Sequence, residues 1–160
     1  MIDPQIELSR DAVVSLREIT KETLRSVLSL KVAPEQERFV ASNAVSIAQA
    51  YFEDETAWFR AVYANETPVG FVMLLDDSRN AEYFLWRFMI DARYQKFGFG
   101  KHAILCLLEY VKSRPNATSL LTSYVPGEGT PGGFYEGLGF VPTGDLDDGE
   151  VVLKLEWYDH

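Results

Sequence analysis

Between Thr56 and Ile90 the spacing of apolar residues changes from about 3.6 to 2, and this change restricts the fold more than any other feature of the chain. Thr56–Tyr63, Val69–Leu75 and Glu82–Ile90 are three β-rich runs, separated by the turn-like stretches Ala64-Asn65-Glu66-Thr67 and Asp76-Asp77-Ser78-Arg79-Asn80. An antiparallel meander is the simplest account of them.

The flanking segments supply helices and further strands. Ala12–Ile19 alternates and predicts a first strand. Thr20 then reads as an N-cap for a helix over Lys21–Leu30, with Leu24, Val27 and Leu28 on one face. Pro34 at a first-turn position, Glu35 and Glu37 near the positive helix end, and Phe39, Val40, Ala44, Ile47, Ala48 and Tyr51 at helical spacing predict a second helix running to about Phe52. After the meander come a helix over Gly98–Val111, a strand over Thr118–Val125, a glycine-rich loop over Pro126–Gly133 and a short helix over Phe134–Leu138. The strands Gly139–Val141 and Val151–Glu156 flank an acidic turn at Asp145–Gly149. The order β-α-α-β-β-β-α-β-α-β-β describes one α+β domain over residues 1–160, with Met1–Asp11 a loose lead-in or an added strand.

Composition narrows the function classes. The chain has 160 residues, 47% apolar and 24% charged, which is ordinary for a globular domain and excludes collagen-like or wholly disordered readings. Fifteen Lys and Arg against 24 Asp and Glu leave a net charge of −9. That balance disfavours a nucleic-acid partner, whose binding requires clustered positive charge, and favours a cationic one. The lone Cys106 cannot form an internal disulfide, and no leader or apolar stretch of about 18 residues is found, so a cytoplasmic protein without a membrane partner is expected. His102 and His160 have no second ligand at useful spacing, so no metal is expected, and Cys106 is read as filling core space.

The most informative stretch is Ile90-Asp91-Ala92-Arg93-Tyr94-Gln95-Lys96-Phe97-Gly98-Phe99-Gly100-Lys101. Glycines let backbone amides approach a ligand closely, and a helix starting there aims its unpaired N–H groups and positive dipole end at the same point, which makes a phosphate cradle. Lys96 and Lys101 add charge for a diphosphate. Gly98-Phe99-Gly100-Lys101-His102-Ala103 satisfies G-x-G-x-x-A, but the first glycine of a dinucleotide fold follows its strand directly, inside a βαβ unit. A P-loop needs Gly-Lys-Ser/Thr, whereas this chain has Gly100-Lys101-His102.

What remains is hydrophobic-x-x-x-x-Gln-x-x-Gly-x-Gly ahead of a helix, and with it the chain resembles the GNAT superfamily of acyl-CoA-dependent N-acetyltransferases from about Val14 to Leu155. Gly133-Phe134-Tyr135-Glu136-Gly137-Leu138-Gly139-Phe140 is similar to the family's Phe-Tyr-x-x-Leu-Gly-Phe segment. More narrowly, Leu85-Trp86-Arg87-Phe88-Met89-Ile90-Asp91 with Arg93-Tyr94-Gln95 resembles the corresponding segment of bacterial spermine/spermidine acetyltransferases. The resemblance implies a mixed, mostly antiparallel, bent central sheet flanked by about four helices, with acetyl-CoA as cofactor and no metal. It implies that main-chain groups of Phe88 and Ile90 pair with the pantetheine arm, and that an amide near Met89 serves the thioester oxygen. The amides of Gln95, Lys96, Phe97, Gly98, Phe99, Gly100 and Lys101 would hold the pyrophosphate.

Acetyl transfer to nitrogen needs an uncharged amine, whose pKa in water is about 10. In the resemblance Tyr135 holds the position from which the family's tyrosine protonates the departing thiolate; the alternative is that it only packs or touches CoA. Glu82, at the start of the strand leading to the loop, is the candidate base, acting through water. Polyamine enzymes of the superfamily can place an acid where this chain has Trp86. Glu35 and Glu37 could contact a cationic substrate or simply stabilise their helix. Trp58, Tyr83 and Trp86 form either an aromatic wall for that cation or part of the sheet core. The loop Pro126–Gly133 lacks the family's asparagine, so CoA contacts there would come from backbone or from Glu128 and Thr130. The expected function is acetyl transfer to a small amine, spermidine or spermine first. The alternatives are acetylation of a protein N-terminus or lysine, and a non-catalytic acyl-CoA-binding domain. The oligomeric state, a homodimer included, is left open.

Overall fold

The computed structural model describes residues 8–157, so the first seven residues of the predicted lead-in, and His160, lie outside the described residues. Seven strands form one sheet: β1 (Val14–Arg17), β2 (Ala57–Ala64), β3 (Thr67–Asp77), β4 (Glu82–Ile90), β5 (Ser119–Tyr124), β6 (Val141–Asp147) and β7 (Glu150–Glu156). Their order is β1-β2-β3-β4-β5-β7-β6. Every neighbouring pair is antiparallel except β4 and β5. The helices are α1 (Leu24–Leu28), α2 (Asn43–Phe52), α3 (Phe99–Lys112) and α4 (Gly132–Gly137), with a 3-10 helix over Pro34–Phe39 and a 3-10 turn over Ala92–Tyr94. The predicted meander is therefore present as β2-β3-β4, and the mixed, mostly antiparallel α+β architecture is as expected.

Alternation along the strands creates two cores, one on each face of the sheet. Val62, Val72, Leu74, Leu85 and Leu120 face α3, where they bury Ile104, Leu107 and Val111. Ala61, Tyr63, Phe71, Met73 and Met89 face the other way and bury Val27 and Leu30 around α1 and Ala50 of α2. Cys106 is half-buried, with its thiol on the Val14 carbonyl.

Three local expectations change. The predicted helix from Pro34 to Phe52 is two elements, because Val40 is extended (φ −146°, ψ 138°) and Ser42 starts a new helix, its hydroxyl accepting from the Val45 N–H at 3.2 Å. The first helix is shorter than predicted, since Thr20 and Thr23 trade side-chain-to-backbone hydrogen bonds and delay its start to Leu24. The acidic turn narrows to Asp148-Gly149 (φ 49° and 83°), a two-residue hairpin that leaves Asp145 and Leu146 in β6.

The feature that positions the site is in β4. Met73 pairs with Arg87 while the next residue, Leu74, pairs with Leu85, so Trp86 is an extra residue, a β-bulge. A bulge bends its strand. The parallel β4–β5 ladder holds only at Phe84–Leu121 and Leu85–Thr122, and beyond it the strands part.

Candidate active site

A cleft of about 790 Å³ opens where β4 and β5 separate, lined by Leu85–Ile90 on one side and Thr122–Val125 on the other. Beyond Leu85 the edge of β4 turned toward the cleft has no strand partner, the condition under which an extended ligand can pair with a strand. At its end the Ile90 carbonyl is already occupied by the Gln95 side-chain amide at 2.9 Å.

Asp91 organises the turn that follows. Its buried carboxylate accepts from the backbone N–H groups of Lys31 and Arg93 and from Arg93 Nε, each at 2.9 Å. Burial would raise its pKa, but the Arg93 guanidinium and the two amides outweigh it and hold the carboxyl below its ordinary value. Gln95 Nε2 also donates to Gln36 Oε1 at 2.9 Å, fastening the 3-10 helix to the loop. Lys96 and Gly98 then adopt positive φ (74° and 85°), the left-handed region that glycine tolerates and a lysine rarely enters.

These turns deliver the start of α3 to the cleft. Its first intrahelical bond runs from the His102 N–H to the Gly98 carbonyl, so the N–H groups of Phe99, Gly100 and Lys101 have no backbone partner. They could hold an anion, assisted by the dipole of a 14-residue helix. Gly100 lets the cradle close tightly, since a Cβ there would stand 3.3 Å from the Phe134 ring. Lys96, Gly98, Phe99, Gly100 and Lys101 line the cleft, whereas Phe97 instead stacks on Phe99 with ring centroids 5.3 Å apart.

Tyr135 enters the cleft from the α3 side of the sheet. α4 buries it to 6% exposure, packed edge-on against Phe134 and Phe140, with the buried Thr122 hydroxyl beside its own. Burial pushes its pKa up to about 12, with Thr122 opposing, so at neutral pH it is a proton donor. Phe134 is partly exposed, stacks on Phe88 and lines the cleft.

The opposite wall carries charge. Arg87 lies on the face of its partner Met73, the α1–α2 side. Its Nη1 donates to the Trp86 carbonyl at 3.1 Å and its Nη2 to Gln49 Oε1 at 3.2 Å, while Nε is buried with no partner. Burial lowers its pKa, an effect that Glu150 opposes. Glu150, at the start of β7, lines the cleft and accepts from the Ser123 hydroxyl at 3.4 Å. Over the mouth, Arg38 Nη2 donates to the Glu128 carbonyl at 2.8 Å, and Thr130 Oγ1 donates to the Val125 carbonyl at 2.7 Å.

The structure thus brings Tyr135, Trp86, Glu37, Thr130 and the glycine loop into one cleft, along with Phe88, Met89 and Ile90. It does not bring Glu82 there: Glu82 is exposed beside the β3–β4 hairpin turn, opposite Asp77, at the far end of a nine-residue strand. Glu35 is exposed outside the cleft, and Glu128 does not line it either, its carbonyl accepting from Arg38 over the mouth. Of the aromatic trio only Trp86 faces the cleft, since Trp58 stacks on Tyr110 and the buried Tyr83 donates to the Pro115 carbonyl. Arg87, Glu150, Thr122 and Arg38 had no assigned role, because sequence spacing carries no sign of the bulge or of which loops meet.

No group of three or more His, Cys, Asp or Glu is placed to hold a metal among the described residues, and none of their helices is long and apolar enough to cross a membrane.

Residues 15–140 match the model of the Acetyltransferase (GNAT) family. The chain is 26% identical over 152 residues to a spermine/spermidine N(1)-acetyltransferase of Bacillus subtilis (strain 168), covering 89% of this chain and 98% of that one. Among solved structures it is similar to the PaiA N-acetyltransferase of Thermoplasma acidophilum in complex with coenzyme A, with a TM-score of 0.69 and 14% identity, over 91% of this chain and 99% of that one. It is also similar to the aminoglycoside acetyltransferase AAC(6')-Ib in complex with coenzyme A, with a TM-score of 0.73 and 16% identity, over 90% and 95% of the two chains. At such identities the likeness is one of fold.

Proposed function

The chain belongs to the GNAT family of acetyltransferases and is an acetyl-CoA-dependent N-acetyltransferase, and from that premise we propose that its acceptor is a primary amine of a small polycation, spermidine or spermine first. The observation that carries the reading is the split between β4 and β5, with unpaired helix N–H groups at one end, buried Tyr135 on one face and carboxylates on the other.

Acetyl-CoA supplies the activated acetyl group. The free N–H groups of Phe99, Gly100 and Lys101, with Lys96 and Lys101 alongside, suit its pyrophosphate, and the open edge of β4 from Phe88 to Ile90 suits its pantetheine arm. The acceptor enters from the α1–α2 face. Its nitrogen, having lost one proton, bonds to the acetyl carbon as the carbon–sulfur bond breaks, the sulfur takes the proton of Tyr135 Oη, and the second proton shed by the nitrogen as the amide forms restores the Tyr135 phenol through water. The Met89 N–H, by contrast, is turned toward β3, because Asp91 two residues on donates to the Val69 carbonyl at 2.8 Å and Met89 is paired with Phe71, so the β4 backbone groups that face the split are those of Phe88 and Ile90.

A polyamine is supported by the net charge of −9, by Glu37 and Glu150 on the cleft and by the printed activity of the Bacillus relative. The Arg38–Glu128 contact over the mouth favours a small acceptor over a protein chain. Thiol release with a panel of spermidine, spermine, amino acids, an aminoglycoside and a peptide, with product masses, tests the reading. Spermidine should be the best acceptor, and no amine-dependent thiol release would refute transfer itself.

A further inference from the structure

We propose that Arg87 keeps the acceptor nitrogen uncharged, acting as a fixed positive charge beside it in place of a carboxylate base on β4. The inference rests on amine acetylation in this cleft but not on which amine is used.

The sequence shows why something of the kind is needed. An ammonium has no lone pair, a primary amine in water loses its proton at about pH 10, and the β4 bulge presents Trp86 rather than an acid. No carboxylate lies within ion-pair distance of Arg87 among the described residues. Its guanidinium is held by two neutral acceptors, the Trp86 carbonyl and Gln49, leaving Nε buried and unpaired. A cation fixed in this way has no ion-pair partner, and Glu150 acts on it only from beyond ion-pair distance. It lies one residue from Phe88, on the face across the split from Tyr135.

The other groups on the cleft are consistent with this. Glu150 on β7, Glu37 and Arg38 on the 3-10 helix, Lys96 and Lys101 at the loop and the phenols of Tyr94, Tyr124 and Tyr135 line the same cleft as Arg87. α2 adds neutral Gln49, and β5 adds, besides Tyr124, neutral Thr122 and Ser123. Glu150 is the carboxylate whose charge Arg87 feels, and the Ser123 hydroxyl binds it from the side. A distal ammonium of the acceptor therefore belongs at Glu150 and the reacting, neutral nitrogen toward Arg87. A unit charge about 5 Å away at an effective dielectric near 20 lowers an amine pKa by about 2. The proton leaves to bulk water before attack.

The test is the single-turnover rate at saturating acceptor against pH, where the acid limb reports the bound amine. In the wild type this limb should lie about 2 pH units below the pKa of the same amine free in solution; a limb at the free-amine value overturns the proposal without any variant. Arg87→Gln should move the limb up toward the free value, losing about 100-fold at pH 7.5 and little at pH 10. Its KM for the cationic acceptor should fall, because a repulsion is removed. Arg87→Lys should keep the wild-type limb. A loss equal at every pH, with weakened CoA binding by calorimetry, would mean a structural role. A KM that rises, and only for acceptors bearing a carboxylate, would mean an anion subsite. Either result contradicts the proposal, whereas a wild type that acetylates no amine refutes the function itself.

Discussion

The Asp91 carboxylate accepts the backbone N–H of Lys31 at 2.9 Å across 60 residues of sequence, and the Ala92 N–H returns a bond to the Lys31 carbonyl at 2.9 Å. One buried acid thus fixes both the end of β4, from which the glycine loop departs, and the entry to the 3-10 helix that borders the cleft.

Asp91→Ala should therefore cost about 1.5–3 kcal/mol, the worth of a hydrogen bond to a charged group, measured by urea denaturation. Because the folded pKa is depressed, its stabilisation is complete above the unfolded value of about 3.9 and is lost as pH falls through the lower folded value. Asp91→Asn should flatten this acid-side loss. An unchanged pH–stability curve below pH 4 would remove Asp91 from this role.

Gly98 is the left-handed cap of α3, with open space where a side chain would point. Gly98→Ala should cost about 1–2 kcal/mol of stability through backbone strain alone. Gly98→Asp adds a negative charge at the anion cradle and should weaken CoA binding at least 10-fold by calorimetry. Wild-type affinity in the folded Asp variant would put the pyrophosphate elsewhere.

Glu150→Gln should lower kcat/KM for spermidine about 10-fold, chiefly through KM, at the low end for a hydrogen bond to a charged group. Added salt should weaken spermidine binding to the wild type more than to this variant. An equal loss with a neutral monoamine acceptor would mean that Glu150 supports the β6–β7 hairpin instead of the acceptor.

The meander, α3 and the glycine loop were legible because period-2 alternation and paired glycines are local signals. The bulge was not, since Leu85-Trp86-Arg87-Phe88 reads as an unbroken β run and only pairing with Met73 and Leu74 shows Trp86 to be extra. That one residue decides the face on which Arg87 lies. Glu82 was misjudged by adjacency: it starts the strand that ends at the loop, but eight steps of about 3.3 Å place it roughly 26 Å from Ile90. Glu150 was hidden between what reads as a five-residue acidic turn, Asp145–Gly149, and a strand starting at Val151; the turn narrows to Asp148-Gly149 and β7 starts at Glu150. The break between the 3-10 helix and α2 was foreshadowed by Ser42-Asn43, a good helix start overridden by apolar spacing that continues across it.

Acetyl transfer in the β4–β5 split, with Tyr135 giving the leaving sulfur its proton, is tested most directly by the kcat of Tyr135→Phe. The variant keeps the ring against Phe134 and Phe140 and removes the hydroxyl beside Thr122. With its pKa pushed up to about 12, wild-type Tyr135 holds its proton through the working range, so activity should show no basic limb from it until pH nears that value. The variant should lose about 100-fold in kcat, the low end for a general acid, with CoA affinity changed less than about 3-fold. Full turnover with an unchanged pH profile would contradict the account and make Tyr135 a packing residue.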